Sequence, residues 1–333
     1  MTLSFAVLGA GRIGKVHAAA IAATPGARLA AVADAIAPAA EALAAEHGCA
    51  VRTLDEIETA GGIDAVVICT PTDTHADLIE RFARAGKAIF CEKPIDLSVD
   101  RVRACLKTVE ETGATLMIGF NRRFDPHFCA VRQAIDEGRI GDVEMVQIVS
   151  RDPGAPPATY IASSGGIFRD MTIHDFDMAR FLLGEEPETV FATGSVLVDP
   201  EIGRLGDFDS VSVTLTTRSG RHCTISNSRR AVYGYDQRIE VHGSKGAVSA
   251  ENQRPVSIEV ATAQGYTRPP LHDFFMTRYS QAYRAEIAAF IAAVGSGEAS
   301  PGGRDGLAAL LLAEAALRSV AEGRSVRVSE IAG

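Results

Sequence analysis

Short apolar runs and amphipathic stretches alternate along the first 120 residues. The apolar runs are SFAVLG at 4–9, RLAAVAD at 28–34, DAVVICT at 64–70, AIFCE at 88–92 and TLMIGF at 115–120. Between them lie stretches with helical spacing, among them KVHAAAIAA at 15–23, HADLIERFARAG at 75–86 and VDRVRACLKTVEETG at 99–113. Unbroken apolar strands alternating with helices predict a parallel sheet covered on both faces. The first domain, 1–120, is therefore expected to be α/β and doubly wound.

The pattern changes near residue 143. Strand-like runs then follow one another: VEMVQIVS at 143–150, TVFATGSVLV at 189–198, SVSVTLTTRSG at 210–220, RHCTISNSRRA at 221–231, QRIEVHGSKGAVSAE at 237–251 and PVSIEVAT at 255–262. Val211, Val213 and Leu215 alternate with Ser212, Thr214 and Thr216, a period of two with one face covered. Turn signals at Ser219–Gly220 and Gly243–Gly246 predict antiparallel hairpins. The second domain, 121–333, is expected to be α+β, with a large, mostly antiparallel sheet open on one face. That open face predicts self-association. Two helices near 277–295 and 305–322 close the chain, and the last is expected to pack back on the first domain. A further helix is read at GGIFRDMTIHDFDMARFLLG, 165–184.

The chain has 333 residues, enough for two domains, and a formal net charge of −9. An acidic balance gives no footprint for nucleic acid or an anionic membrane. No stretch reaches the length of about 18 apolar residues that a membrane helix needs. The start, MTLSFAVLGAGRIG, has neither a basic n-region nor an A-x-A pattern. The six cysteines, Cys49, Cys69, Cys91, Cys105, Cys129 and Cys223, form no C-x-x-C pair. Free thiols fit a reducing compartment, and a cytoplasmic protein is expected.

The most specific motif is VLGAGRIG, which places Gly9, Gly11 and Gly14 in G-x-G-x-x-G spacing between a strand and a helix. The first glycine permits the turn, the second lets a pyrophosphate approach the backbone, and the third lets helix and strand pack closely. With Arg12 and Ile13 between the glycines, this loop predicts a dinucleotide site. Asp34 ends the second strand twenty residues after Gly14. A carboxylate there accepts from ribose hydroxyls and repels a 2′-phosphate. No arginine follows it at once, so NAD is expected rather than NADP. Thr70 and Pro71, after the third of these strands, are expected to meet the cofactor through their backbone. His17 is read as a packing residue beneath the loop.

Lys93 follows AIFCE, at the carboxyl end of a strand. Ligands of open α/β sheets bind at that edge. Asp170 and His174 are four residues apart, a spacing that puts both on one helix face. Either they are an exposed pair of little consequence, or the imidazole is a general base beside an orienting carboxylate. No cluster with metal-ligand spacing accompanies them, and no metal is expected. Asp175 and Asp177 are read as structural.

With these motifs in view, the chain resembles the glucose–fructose oxidoreductase/inositol dehydrogenase family over essentially its whole length. GAGRIGKVHA, CTPTDTH, CEKPI and GFNRRFDP carry the broad resemblance. SGGIFRDMTIHDFDMARFLLG, GYDQRIEVHGSKGAV and FFMTRYSQAYRAE are narrower and tilt it toward inositol. The resemblance implies a Rossmann domain, an oligomerising second domain and a homotetramer. It implies a catalytic triad of Lys93, Asp170 and His174, a peptide bond before Pro94 that is often cis, and Glu92 beside the cofactor. The implied reaction is NAD-dependent oxidation of an axial hydroxyl of myo-inositol, a small polyol, to scyllo-inosose. Asn121, Arg123, Asp152 and Tyr233 are the implied substrate contacts. Arg122 stands as the alternative to Arg123, and Tyr235 and Tyr279 are reserves. The arginines could instead pair with carboxylates. Another inositol isomer or an aldose as substrate, or an NAD-sensing regulator without turnover, are the alternative functions.

Overall fold

The computed structural model describes residues 2–332. They form two compact units, 2–125 with 280–310, and 126–279 with 311–332. The parallel sheet of unit 1 comprises β1 (Leu3–Leu8), β2 (Ala27–Ala33), β3 (Ala50–Val51), β4 (Ala65–Ile68), β5 (Ala88–Cys91) and β6 (Leu116–Ile118). Their order is β3-β2-β1-β4-β5-β6, and every neighbouring pair is parallel. This is the doubly wound dinucleotide-binding order. The central strands have no exposed face: every residue of β1, β4 and β5 is buried, which is why they read as unbroken apolar runs.

The helix Ser280–Ser296 was expected in the second domain but packs with the first, together with the start of the last helix, which was expected to pack back there. Phe290, on the helix Ser280–Ser296, lies with its ring centroid 6.0 Å from Phe5 and 5.8 Å from Phe90, so this helix covers β1 and β5. The next helix, Gly303–Glu322, starts beside the same sheet. A Cβ on Gly306 would stand 2.8 Å from the Ile95 side chain, so that helix approaches as closely as a glycine allows.

Unit 2 is built on a sheet of seven strands. It contains β7 (Val143–Arg151), β8 (Pro187–Ser195), β9 (Ser210–Thr217), β10 (His222–Ser228), β11 (Asp236–Gly243) and β12 (Gly246–Ala250). A small hairpin of β13 (Val260–Thr262) and β14 (Gly265–Thr267) stands outside it, and β15 (Val326–Arg327) closes one edge. The order is β12-β11-β7-β10-β9-β8-β15. Only β7 and β10 run parallel; the other neighbours are antiparallel. Register explains the alternation in the sequence. Val213, Ile225, Ile148 and Ile239 line up across four strands and are buried. Thr214, Thr224, Gln147 and Glu240 form the adjacent row and are exposed.

Three expectations need correction. PVSIEVAT is a strand only at 260–262, and Val256, Ile258 and Val260 are exposed, so its alternation does not mark a core strand. The two-residue strands β3 and β15 were not anticipated. The helix at 165–184 is two helices, Ile167–Asp170 and Thr172–Leu183, preceded by a short one at Ala158–Ser164. Gly165 and Gly166 have φ of 83° and 84°, a conformation that other residues resist, and they turn the chain between the first and second of these helices. Among the described residues no helix is long and apolar enough to cross a membrane.

Candidate active site

In unit 1 the glycine loop joins β1 to the helix Arg12–Ala23. Gly9 has φ 101°, and a Cβ there would lie 2.6 Å from the Cys69 carbonyl oxygen. A Cβ on Gly14 would lie 1.9 Å from the Gly9 carbonyl oxygen. Both positions exclude a side chain. Gly11 differs: a Cβ there would meet nothing within 4 Å. It is the N-cap of the helix and gives no side-chain cap. Helix N–H groups without a side-chain cap, beside open space, fit a pyrophosphate. Arg12 is exposed and Ile13 half-buried at this helix start. Asp34 follows β2, and its carboxylate accepts from Ala10 N–H at 2.5 Å and from Ile36 N–H at 2.7 Å. The ribose-binding candidate is thus tied to the phosphate loop.

Lys93 follows β5, and the Lys93–Pro94 peptide is cis. The Glu92 carboxylate points inward. One oxygen is 2.6 Å from His17 Nε2, and the other accepts from Lys93 N–H at 3.3 Å. Gly119 makes the room, since a Cβ there would be 3.0 Å from the Glu92 carboxyl carbon. The side chain of Glu92 therefore bridges the helix after the glycine loop and the lysine. His17 is fully buried beside the rings of Phe90 and Tyr283, with centroids at 5.0 and 5.5 Å.

Glu286 lies 4.0 Å from His17 Nδ1 and is also fully buried. Burial, and then the charge of Glu92, push its carboxyl well above the ordinary range. Thr70 and Pro71, expected to meet the cofactor through their backbone, follow β4; the Thr70 carbonyl pairs with His75 Nε2 at 2.8 Å, and the Pro71 carbonyl accepts from Thr74. His75 Nδ1 pairs with the Pro94 carbonyl at 2.8 Å, so this buried imidazole joins the two loops.

The GFNRRF segment shows the same inward commitment. Asn121 is buried. Arg123 forms an ion pair with Asp305 at 2.9 Å, the alternative left open for the arginines. Its guanidinium anchors the start of helix Gly303–Glu322.

In unit 2, Asp170 closes the helix Ile167–Asp170 and His174 lies in the first turn of Thr172–Leu183. Asp175, next to His174, is fully buried. Its carboxylate accepts from Ser150 Oγ at 2.6 Å and from Asn227 Nδ2 at 2.9 Å, which docks the helix on the ends of β7 and β10. Thr172 adds a bond to Asn227 at 2.7 Å. Asp170 accepts from the Tyr160 hydroxyl at 2.8 Å, and the buried Arg229 guanidinium is 3.7 Å away.

Asp152 and Tyr233 lie at the same end of the sheet, where Arg151 pairs in register with Ser228 and Asp236. The Tyr233 hydroxyl donates to Asp236 at 2.6 Å and accepts from Arg151 at 3.0 Å. Burial alone would raise the Asp236 carboxyl. Hydrogen bonds from Arg238, Tyr233 and Asn252 outweigh it and hold it below the ordinary carboxylate range. Tyr235 and Tyr279 are buried, with ring centroids 6.0 Å apart, and the Tyr279 hydroxyl donates to Gln237 Oε1 at 3.2 Å.

Two family models match the chain: an oxidoreductase family with an NAD-binding Rossmann fold over residues 3–120, and the GFO/IDH/MocA C-terminal domain over 128–249. The chain belongs to the GFO/IDH/MocA oxidoreductase family. It is an NAD-binding member. A protein named inositol 2-dehydrogenase from Rhizobium meliloti (strain 1021) is 72% identical over 330 residues, 99% of this chain and 100% of that one. A crystal structure from Sinorhizobium meliloti 1021 has a TM-score of 0.97 at 72% identity, covering 98% of this chain and 100% of that chain. The scyllo-inositol dehydrogenase of Lactobacillus casei, solved with NAD(H) and scyllo-inositol bound, has a TM-score of 0.91 at 28% identity, covering 99% and 100%.

Sequence reasoning missed the buried groups behind the candidate residues of this family member. Arg229 and His75 carry charge or polarity, which local pattern assigns to a solvated face; Asp175, read as structural, is buried. The one available signal was the density of acids in RDMTIHDFD, more than an exposed strip of that length needs.

Proposed function

We propose that the protein oxidises myo-inositol to scyllo-inosose with NAD, as an inositol 2-dehydrogenase. Asp170 and His174 in the first turns of two adjoining helices are the observation that carries the reaction type: Asp170 accepts from Tyr160, and the helix of His174 is docked by the buried bonds of its neighbours Asp175 and Thr172 to Ser150 and Asn227. The substrate is drawn from the relatives, chiefly the inositol 2-dehydrogenase of 72% identity. Bound NAD supplies the hydride acceptor. His174 takes the proton of the reacting hydroxyl, acting as general base. Lys93 hydrogen-bonds that oxygen and stabilises the charge that develops on it. Asp170 orients and polarises. Asp152 and Tyr233 receive the remaining ring hydroxyls. Arg123, bound to Asp305, is left out of the substrate set.

The exposed sheet row Thr214, Thr224, Gln147 and Glu240 supports assembly through this face, and a homotetramer is the proposed state. The six thiols suit a reducing compartment, and the cytoplasm is the proposed location.

The test is turnover of purified protein with NAD and a panel of myo-inositol, scyllo-inositol, glucose and xylose. Myo-inositol is expected to have the highest kcat/KM. A clearly higher value for an aldose overturns the substrate, and no turnover of any of them overturns the enzyme.

A further inference from the structure

The reading of Asp170 as the orienting carboxylate leaves open what orients Asp170. Arg229 lies just after β10 and is 1% exposed. Its guanidinium stands between two carboxylates, 3.7 Å from Asp170 Oδ2 and 3.4 Å from Asp207 Oδ2. Asp207 in turn grips the start of the helix that carries Asp170. Its Oδ1 accepts from Ile167 N–H at 2.9 Å, and a Cβ on Gly166 would lie 2.7 Å from that oxygen. The Arg229 backbone N–H donates to the Asp209 carbonyl at 2.8 Å, so the arginine is fixed from behind.

One buried cation thus ties both ends of a single helical turn to the sheet. The second Asp170 oxygen accepts from Tyr160, which leaves the carboxylate plane determined on both sides. Arg229 Nε is buried with no hydrogen-bond partner among the described residues. A pair that served only stability would do better with a full set of bonds or with apolar replacements. The fork geometry of arginine also matters here, because two carboxylates are addressed from one planar group.

We propose that Arg229 is a positioning residue for the dehydrogenase reaction, one that sets the orientation of the Asp170 carboxylate from behind the site. The proposal rests on the role given to Asp170 above. If Arg229 acts through Asp170, its loss has no further effect once Asp170 is disabled.

The experiment is a double-variant cycle of Arg229→Gln and Asp170→Asn, read as kcat and KM with myo-inositol and as NAD affinity. Arg229→Gln is expected to lower kcat by roughly tenfold or more, since a misaligned group loses rate rather than binding. The KM for NAD is expected to stay within about twofold, because the nucleotide loop is elsewhere in the chain. Arg229→Lys is expected to restore part of the rate. The double variant is expected to be no slower than Asp170→Asn alone. Losses that multiply in the double variant overturn the proposal and leave Arg229 a stabilising pair. Wild-type rate in Asp170→Asn overturns the role of Asp170 itself and the proposal with it. Should Arg229→Gln fail to fold, the same cycle run with Arg229→Lys gives the same decision.

Discussion

The Asp34 carboxylate accepts the backbone N–H of Ala10 at 2.5 Å. The proposed ribose-discriminating residue is thereby locked to the proposed phosphate loop. Asp34→Ser removes the acceptor for ribose hydroxyls, the repulsion of a 2′-phosphate and this bond together. The kcat/KM for NAD is expected to fall by about tenfold or more, and the preference over NADP to narrow. Steady-state rates with both cofactors on both proteins check it. An unchanged ratio would remove Asp34 from the selection.

The three glycines of the loop are expected to fail in different ways. Gly14→Ala forces a methyl to within 1.9 Å of a backbone oxygen, so it should destabilise unit 1 by about 1–3 kcal/mol or more, as overpacking does. Gly11→Ala meets nothing within 4 Å, at a φ of −71° that any residue adopts. It should melt like the wild type yet bind NAD roughly tenfold more weakly, because the methyl takes the pyrophosphate's approach. Thermal melts and NAD titration separate the two.

Glu286 gives a pH prediction. Its carboxyl lies well above the ordinary range in the folded protein, through burial and then Glu92. Between the unfolded and folded values the native state holds the extra proton, so stability falls as pH rises through that window. Glu286→Gln cannot ionise. Its melting temperature relative to wild type should therefore rise steadily as pH rises from about 5 to about 8. A difference that is constant with pH would mean that Glu286 does not titrate there.

The fold was legible where local pattern and tertiary burial agree. The runs at β1, β4 and β5 are apolar throughout because both faces are covered, and β9 alternates because one is. The glycine loop was legible because Gly9 and Gly14 answer to contacts within 70 residues of the start. What escaped depends on partners distant in sequence. Nothing local in Phe290 says that it covers Phe5 and Phe90. The helix Thr172–Leu183 is buried on most sides, including Asp175 and Asp177, so its spacing carries no face. Arg229 reads as one of two adjacent arginines until Asp170 and Asp207 are seen beside it.

The exposed face of the seven-stranded sheet can be tested independently. Thr214→Arg and Thr224→Glu place charge in the middle of the exposed row without touching the buried one. Light scattering is expected to give a tetramer for the wild type and smaller species for the paired variant. A stable wild-type monomer at micromolar concentration would contradict assembly through this face.

The central claim is that His174 removes the hydroxyl proton. The direct measurement is kcat for NAD reduction with myo-inositol in His174→Ala, alongside NAD affinity. The account predicts a loss of roughly a hundredfold or more in kcat, with NAD affinity nearly unchanged. A variant that keeps near-wild-type kcat would contradict it and place the base elsewhere.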